Sequence, residues 1–395
     1  MRILAVTTSY PLRAGMAAGV FVQRLYAHLP HRCSIQVLSP DDDGRPSESS
    51  ANVVPPATPL RYAPRGWQRL GQRNGGILPA LRANRGLLLL VPLFLAALSW
   101  ATFRRARHVD LIHANWSICG AIGALVGTVI PVKLVTTLRG EDTGSGRGSP
   151  WTRAILRITA SRSDAIVCVS AAMAQGMAEL HPRHATKIHV IHNGVDRALY
   201  MLPRPVPLPG RLRLLVVGSL VRRKGLDVLL AALAATRADC RIDLTVAGDG
   251  PDRAALQAFA AGLPAGREVL WLGEVPPDQV PALLSRSDVL VLSSRSEGRP
   301  NVVLEALAAG LPVISTKLPG VAGLVKSGET GWLVDVEDID GMARAIESAC
   351  ETPDRLRLGK NARRESMARN ESWDAAAAAY TALFETVVAG QGKAS

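Results

Sequence analysis

The stretch Ser287–Thr316, SDVLVLSSRSEGRPNVVLEALAAGLPVIST, gives the clearest indication of the fold of this chain. Its apolar run at 288–292 has the length of a buried strand, and a serine-rich loop follows it. Pro300 is predicted to open a helix, since its missing N–H and fixed φ suit a first turn, and Pro312 stops that helix. Residues 313–316 are predicted to be the next strand. The pattern therefore predicts one βαβ unit of a parallel sheet.

Two carboxylates, Glu297 and Glu305, lie at the ligand-binding end of this unit. Open α/β sheets bind ligands outside the carboxyl ends of their strands. The N–H groups of residues 298–302 would attract a phosphate there, because a helix N-terminus favours an anion. A phosphate flanked by carboxylates that accept bonds from hydroxyls outlines a sugar-nucleotide site. The alternative is that an acid near a helix N-terminus only offsets the helix dipole.

The spacing of these residues resembles a family motif. Glu297 and Glu305, with seven residues between them, lie within S-x-x-S-E-G-x-P-N-x-x-L-E-A-x-A-x-G-x-P-V-I. This pattern is similar to that of the GT4-type retaining glycosyltransferases (glycosyl transferases group 1). The resemblance implies an α/β protein of the GT-B fold. Its two Rossmann-like, doubly wound parallel-sheet domains would face a central cleft, and a C-terminal helix would cross back to the first domain.

The resemblance also implies roles for single residues. Glu305 would bind the ribose hydroxyls of a nucleotide-sugar, and Glu297 the donor sugar near its reacting face. Further donor contacts are implied for Gly19, Ser219, Arg223, Lys224, Gly298, Arg299, Pro300, Asn301 and Val302. Ser219 stands where the family often has Arg, so that Arg222 or Arg223 would supply the missing charge. Basic residues at a helix start are otherwise a solvated face, but they oppose the helix dipole and so indicate an anion.

In the first half of the chain the resemblance points to TLRGED, residues 137–142. Arg139 stands where many family members have a His that contacts the donor sugar, and Asp142 matches a recurring Asp. We expect both to act with Glu297 as candidate catalytic residues. Gly19, or alternatively Gly15, would face the donor phosphates. His113, in DLIHANW, is expected to pack or hydrogen-bond locally.

Strands that alternate with helical stretches predict a doubly wound sheet in each half of the chain. A proline-rich linker at 203–209 suggests the boundary. We predict an acceptor-binding domain over 1–200, a donor-binding domain over 201–370 and a returning helix in 371–395. Residues 41–59 are predicted to be a polar loop. Residues 87–103 are predicted to be a buried or membrane-surface helix, because 17 residues span about 26 Å, less than the roughly 30 Å hydrocarbon core. A true membrane span is the alternative.

The charge of the chain is +13, from 46 basic and 33 acidic residues. Residues 51–109 contain no acid, and their arginines are Arg61, Arg65, Arg69, Arg73, Arg82, Arg85, Arg104, Arg105 and Arg107. A positive field of this size favours an anionic partner. Aromatic residues are only 4% of the chain, which argues against nucleic acid because no stacking platform accompanies the arginines. A peripheral contact with an anionic membrane or a lipid-linked acceptor fits better.

The five cysteines are scattered and have no metal-ligand spacing, which predicts free thiols in a reducing cytoplasm. The apolar run at 3–6 is too short for a signal peptide. The acidic run Asp41–Asp43 lies in the predicted loop and does not match a metal-binding DxD motif in role. We therefore expect no metal and no cofactor, with a UDP- or GDP-sugar as the donor substrate, and a location at the inner face of the cytoplasmic membrane.

Together these features predict a retaining, metal-independent, hexosyltransferase-type enzyme. It would move a sugar from a nucleotide-sugar to a lipid-linked or polysaccharide-precursor acceptor in cell-envelope glycan synthesis. One alternative is a non-catalytic protein of the same fold that binds a nucleotide-sugar or an anionic lipid. A second is a GT-B epimerase or phosphorylase, although the chain shows no lysine constellation of the pyridoxal type.

Overall fold

The computed structural model describes residues 1–13, 15–41, 53–68, 70, 81, 85–139, 150–204, 206–237, 239–351 and 355–390. The chain forms two compact units, one of Met1–Gly194 with Trp373–Ser395 and the other of Val195–Ser372. The division thus falls after Gly194, ahead of the proline-rich segment at 203–209. Each unit is built on its own parallel sheet.

The strands of the first unit alternate with helices, as the sequence predicted. Its strands are β1 (Arg2–Val6), β2 (Ser34–Pro40), β3 (Ala57–Leu60), β4 (Leu111–Asn115), β5 (Lys133–Leu138), β6 (Ala165–Cys168) and β7 (Ile188–Val190). Its helices before residue 195 are α1 (Val20–Ala27), α2 (Val91–Ala106), α3 (Ser117–Val126), α4 (Pro150–Arg162) and α5 (Ala171–Leu180). Within the described residues the strand order is β3-β2-β1-β4-β5-β6-β7, with every pair parallel.

The second unit repeats this plan. Its strands are β8 (Arg211–Val217), β9 (Arg241–Ala247), β10 (Arg267–Gly273), β11 (Val289–Leu292), β12 (Val313–Thr316) and β13 (Gly331–Val334). Its helices are α6 (Leu226–Ala235), α7 (Arg253–Ala260), α8 (Val280–Arg286), α9 (Asn301–Ala308), α10 (Ile339–Glu351) and α11 (Arg355–Arg369). The described strands are again all parallel, in the order β10-β9-β8-β11-β12-β13.

The last helix, α12 (Trp373–Ala389), belongs to the first unit. It buries Trp373, Tyr380 and Phe384 in the core that lies against β1 and β5. The predicted return of the C-terminal helix to the first domain is therefore confirmed. Short 3-10 turns occur at Arg65–Trp67, Arg85–Leu90, Pro182–Lys187, Arg197–Met201 and Arg222–Lys224.

One prediction about the first unit is wrong. Residues 41–59 were expected to be loop, but β3 forms at its end and pairs with the second half of β2. Pro59 lies within β3, which is tolerated because β3 is an edge strand whose free side needs no donor. The proline-rich composition concealed the strand.

Both sheets reverse their strand order at an internal point, between β1 and β4 in the first unit and between β8 and β11 in the second. In such doubly wound sheets the loops diverge at the reversal and leave a crevice at the carboxyl ends of the strands. The predicted fold class, two doubly wound parallel-sheet domains, is confirmed.

Helix α2 packs one face against the first sheet and exposes the other. Phe94, Leu98 and Ala101 are buried in the core, whereas Leu93 is 53% and Trp100 is 62% exposed. Residues Gly86–Ala106 form a helical segment long and apolar enough to cross a membrane, with mean hydropathy 2.1, yet 33% of its most apolar window is buried in the protein. Helix α2 therefore lies at the surface of the first unit and exposes apolar side chains on its outer side.

The structure pairs two of the five cysteines that the sequence predicted to be free thiols. Cys240 and Cys350 are paired, with a Cα–Cα distance of 6.3 Å, although 110 residues separate them in the sequence. Packing of α10 beside the start of β9 brings them together, and sequence spacing carries no signal of that contact. Cys33, Cys119 and Cys168 are buried thiols.

Candidate functional site

The candidate site of the second unit lies at its strand-order reversal. The turn after β8 carries Lys224, and the loop after β11 carries Glu297, so both lie at the carboxyl edge of two neighbouring strands. Ser293 Oγ donates to the carbonyl of Lys224 at 3.1 Å. Gly225 has a φ of +65°, and a Cβ there would lie 2.0 Å from the Ser293 carbonyl oxygen. Only glycine allows the turn to approach the loop this closely.

Glu297 is the centre of this site. Its Oε1 accepts from Lys224 Nζ at 2.6 Å and from Ser294 Oγ at 2.8 Å, and Arg223 Nη1 lies 3.6 Å from its Oε2. The Glu297 side chain is only 8% exposed. The sequence predicted Arg223, Lys224 and Glu297 as donor-site residues from two segments, and the structure brings them together.

The surroundings keep Glu297 ionised. Burial raises the pKa of its carboxyl group, but the charges of Lys224 and Arg223, with the hydrogen bonds from Lys224 and Ser294, outweigh it, so the pKa lies below its ordinary value. A carboxylate held in this way is a weak base and a well-oriented acceptor for hydroxyl groups.

Helix α9 starts beside Glu297, much as the sequence predicted. Pro300 directly precedes its first residue, Asn301, and the helix is followed by Gly310 at a φ of +72°. Of the remaining predicted donor residues here, Gly298 and Pro300 are buried, and Asn301, Val302 and Glu305 are half-buried. Ser219, which follows β8, is also half-buried.

The side chain of Arg299 has a different environment from its neighbours. It forms an ion pair with Glu371, and these side chains are 7% and 9% exposed. Arg369 Nε lies 3.6 Å from the same carboxylate. Burial lowers the pKa of the Arg299 guanidinium, although Glu371 opposes this. The side chain thus ties the loop to the segment after α11.

In the first unit, Gly19 and Arg139 lie in loops at the carboxyl edge. Gly19 caps α1 with a φ of +72°, and a Cβ there would lie 2.3 Å from the carbonyl oxygen of Ser9. Arg139 follows β5 and is 5% exposed. It donates to Asn193 Oδ1 at 2.8 Å and stacks on Phe21, with its guanidinium carbon 4.7 Å from the ring centroid. Asp142 lies outside the described residues.

His113 is part of a buried polar network. Its Nδ1 lies 2.9 Å from Tyr26 Oη and its Nε2 lies 2.8 Å from Thr137 Oγ1, which in turn contacts Tyr380 Oη at 3.0 Å. Burial, helped by the charge of Arg139, lowers the pKa of His113 to about 3. The imidazole is therefore neutral and hydrogen-bonded locally, as the sequence predicted.

Three residues of these crevices were not singled out from the sequence. Ser294, fully buried, orients Glu297, and Arg295 joins Asp227 on α6 to Glu337. Trp116, after β4, has φ 72° and ψ 155°, a region that non-glycine residues rarely adopt. The serine-rich loop was a signal for Ser294, but no local pattern marks a strained tryptophan.

Within the described residues no group of three or more His, Cys, Asp and Glu side chains is placed to hold a metal ion. Asp41 is described and lies 3.9 Å from Arg61 Nε. Asp42 and Asp43 lie outside the described part of the chain.

Comparison with known proteins agrees with this geometry. The family described as glycosyl transferases group 1 matches residues 205–365, and the family described as glycosyltransferase family 4 matches residues 18–199. The Anabaena protein Alr3699/HepE, solved with UDP and glucose, superposes with a TM-score of 0.77 at 19% identity, covering 98% of this chain and all of that one.

Several curated relatives are similar in sequence. Glycogen synthase of Mycobacterium tuberculosis is 29% identical over 71% of this chain and 69% of its own length. D-inositol 3-phosphate glycosyltransferase of Salinispora arenicola is 30% identical over 74% of this chain and 72% of its own. The lipopolysaccharide core biosynthesis glycosyltransferase LpsE of Rhizobium meliloti is 34% identical, over 47% of this chain and 53% of its own. The chain belongs to the GT4-type glycosyltransferases (glycosyl transferases group 1) and is a glycosyltransferase of the GT-B fold.

Proposed function

We propose that this glycosyltransferase transfers a sugar, with retention and without a metal, from a UDP- or GDP-sugar to a lipid-linked or polysaccharide-precursor acceptor of the cell envelope. The observation that carries the proposal is the convergence of Lys224, Ser294 and Glu297 at the strand-order reversal of the second unit. A buried carboxylate next to two cations, beside a helix N-terminus, suits a sugar hydroxyl and a diphosphate together.

Both cationic groups and a carboxylate would bind the donor. Lys224 and Arg223, with backbone N–H groups of residues 298–302, would hold the diphosphate, and Glu305 would accept bonds from the ribose hydroxyls. Support for the donor class comes from Alr3699/HepE, whose structures include a complex with UDP-glucose. The cations supply the charge stabilisation that a metal ion provides in other transferases. No cofactor enters this scheme.

The weak basicity of Glu297 supports the proposal of retention. A carboxylate whose pKa is lowered by Lys224 is a poor general base for an attacking hydroxyl. We therefore assign Glu297 to positioning the donor sugar. The acceptor oxygen would bond to the anomeric carbon on the face from which the diphosphate leaves, and its proton would pass to the departing diphosphate oxygen. Arg139 and Asp142 stay catalytic candidates, and Gly19 a donor-phosphate contact.

The acceptor class is supported by one face of the first unit. Leu93, Trp100 and Arg104 follow one another at helical spacing on the exposed side of α2, after the exposed Leu89 of the preceding 3-10 turn. An apolar stripe that ends in Arg104, Arg105 and Arg107 suits an anionic lipid surface. LpsE, a lipopolysaccharide core enzyme by name, is one relative that works on envelope material. We place the enzyme at the inner face of the cytoplasmic membrane.

The donor proposal is tested by nucleotide release. The protein is incubated with UDP-, GDP- and ADP-sugars, with and without lipid extract, in buffer that contains EDTA. We expect acceptor-dependent release of one nucleotide, a product that keeps the anomeric configuration, and near-complete loss of release in Glu297→Ala. Glu268→Ala, which removes an exposed carboxylate on β10, is the matched control and keeps full activity.

Three results would contradict the proposal. Activity that needs Mn²⁺ after EDTA treatment would exclude the metal-independent form, and an inverted product would exclude retention. Lys224→Ala should weaken binding of the nucleoside diphosphate by roughly 10–150-fold, the equivalent of one charge-assisted bond, and leave the nucleoside unaffected. An equal loss for both ligands would make Lys224 structural.

The membrane contact is tested by vesicle co-sedimentation. Binding to anionic vesicles should be strong at low salt, fall as salt screens the charges, and fall again when Arg104, Arg105 and Arg107 become Gln. Substituting the exposed Arg153, Arg157 and Arg162 of α4 removes the same charge and is the control. Equal binding to neutral vesicles, or no binding to either, would refute this contact.

A further inference from the structure

Cys240 and Cys350 lie at the edge of the second sheet opposite the candidate donor site. Cys240 directly precedes β9, and Cys350 lies in the last turn of α10. Lys224 and Glu297 follow the carboxyl ends of β8 and β11 instead, and the described strands of this sheet all run parallel. The cysteine pair therefore has no part in the transfer chemistry proposed above.

The backbone geometry already suits a cross-link. The Cα–Cα distance of 6.3 Å lies within the range of about 4.4–6.8 Å that disulfides adopt. The backbone positions of the two residues are therefore compatible with a disulfide. The two residues meet only in the folded unit, since 110 residues separate them.

The pair is accessible to small molecules, in contrast to the other three cysteines. A cavity of about 180 Å³ is lined by both cysteines, Thr236, Ile242, Ile346 and Glu347. Both cysteines are half-buried, whereas Cys33, Cys119 and Cys168 are buried. Burial also raises the pKa of the Cys33 thiol, which disfavours its reactive thiolate.

Arg267 holds the backbone at Cys240. Its guanidinium, in a residue only 7% exposed, donates to the backbone carbonyl of Cys240. The cavity and the partial exposure of both cysteines therefore mark this pair as the one that a small disulfide reaches.

We propose that Cys240 and Cys350 are a reversible thiol–disulfide site for small disulfides such as oxidised glutathione. One protein thiolate attacks a glutathione sulfur, so that a mixed disulfide forms and one glutathione leaves. The second protein thiolate then attacks the mixed disulfide and releases the other glutathione. The two protein thiols are oxidised, one glutathione disulfide is reduced to two thiols, and the two thiol protons pass to the released glutathiones.

The cross-link stabilises the unit that carries the candidate donor site. It closes a loop that includes Glu297 and Glu305, so the oxidised unfolded chain has fewer conformations. A reducing compartment holds the pair as thiols, and disulfide stress converts it to the stabler, oxidised form. Typical disulfide contributions predict a rise in melting temperature of roughly 4–16 °C for a unit of this size.

The test uses the full chain equilibrated in glutathione buffers from fully reduced to fully oxidised. Native samples are alkylated with iodoacetamide and analysed by peptide mass spectrometry, and their melting temperatures are measured. We expect alkylation at Cys240 and Cys350 in reduced protein, a Cys240–Cys350 peptide in oxidised protein, and the melting shift given above. Binding of UDP or GDP should be the same in both states.

Single variants provide the controls. Cys240→Ser and Cys350→Ser should each melt at the temperature of reduced wild-type protein under both conditions. Cys33→Ser should keep the redox-dependent shift. The proposal is overturned if oxidised glutathione leaves both thiols free in the folded protein, or if the melting temperature of wild-type protein does not depend on the buffer. It is also overturned if Cys240→Ser retains the shift.

Discussion

Replacing Lys224 by Met tests the centre of the candidate site most directly. The change keeps the length and apolar stem of the side chain but removes the cation that lies 2.6 Å from Glu297. Glu297 then keeps Ser294 and the more distant Arg223, at 3.6 Å, around a carboxylate that is 8% exposed. A buried charge that loses its main partner is left poorly compensated.

The expected cost follows from this burial. Breaking one side of a buried ion pair costs about 3–5 kcal/mol, and the 23% exposure of the Lys224 side chain places this pair near the lower limit. About 3 kcal/mol corresponds to a melting temperature lowered by roughly 6–12 °C for a unit of this size. Calorimetry on wild type, Lys224→Met, Glu297→Gln and the double variant measures it. The double variant should be more stable than Lys224→Met, because no unpaired charge remains.

The pH dependence separates charge from packing. In wild type the pKa of Glu297 is lowered, so its contribution to stability is present above the unfolded-state pKa and is lost as the pH falls through the folded-state pKa. In Lys224→Met burial dominates and raises that pKa, so protonation at acidic pH should relieve the deficit. Arg222→Met, an exposed cation in the same turn, is the control and should change stability little. Additive effects of Lys224→Met and Glu297→Gln, or a deficit that does not vary with pH, would refute the reasoning.

Two further predictions concern other parts of the molecule. Glu305→Gln should weaken nucleotide binding in isothermal titration by roughly tenfold or more, since a neutral amide accepts ribose hydroxyls less strongly than a carboxylate; unchanged affinity in folded protein would exclude the ribose assignment. Below its ordinary pKa of about 6.5 the unfolded chain protonates His113, whereas the folded protein, with a pKa of about 3, does not, so stability falls as the pH is lowered. Between pH 6.5 and 5 this proton uptake lowers the free energy of unfolding by about 2 kcal/mol, and the stability advantage of wild type over His113→Gln should shrink by that amount. If the free energy of unfolding of the two proteins varied with pH in parallel, His113 would not be buried and neutral.

Much of the second unit was predictable because its information is local. Hydrophobic periodicity and two prolines in residues 288–316 predict β11, α9 and β12. The observed ends of these elements differ from the predicted ends by a residue or so. The prediction failed at β3, because the proline-rich composition of residues 41–59 suggested a loop although the last of these residues pair with β2. The strand forms because it pairs with the edge of β2. A prediction from the neighbouring residues of β3 alone does not include this contact.

The alternation of strands and helices, the family motif and the residue types of the site could be read from local sequence, since these depend on periodicity and on chemistry at fixed spacing. Which of these residues meet depends on the packed fold. Lys224 and Glu297 are 73 residues apart and are joined because β8 and β11 are neighbours at the strand-order reversal. Cys240 and Cys350 are joined by the packing of α10, and the Arg299 side chain is drawn into an ion pair with Glu371. Such contacts depend on strand order and helix packing, which are properties of the whole unit and leave no trace in local spacing.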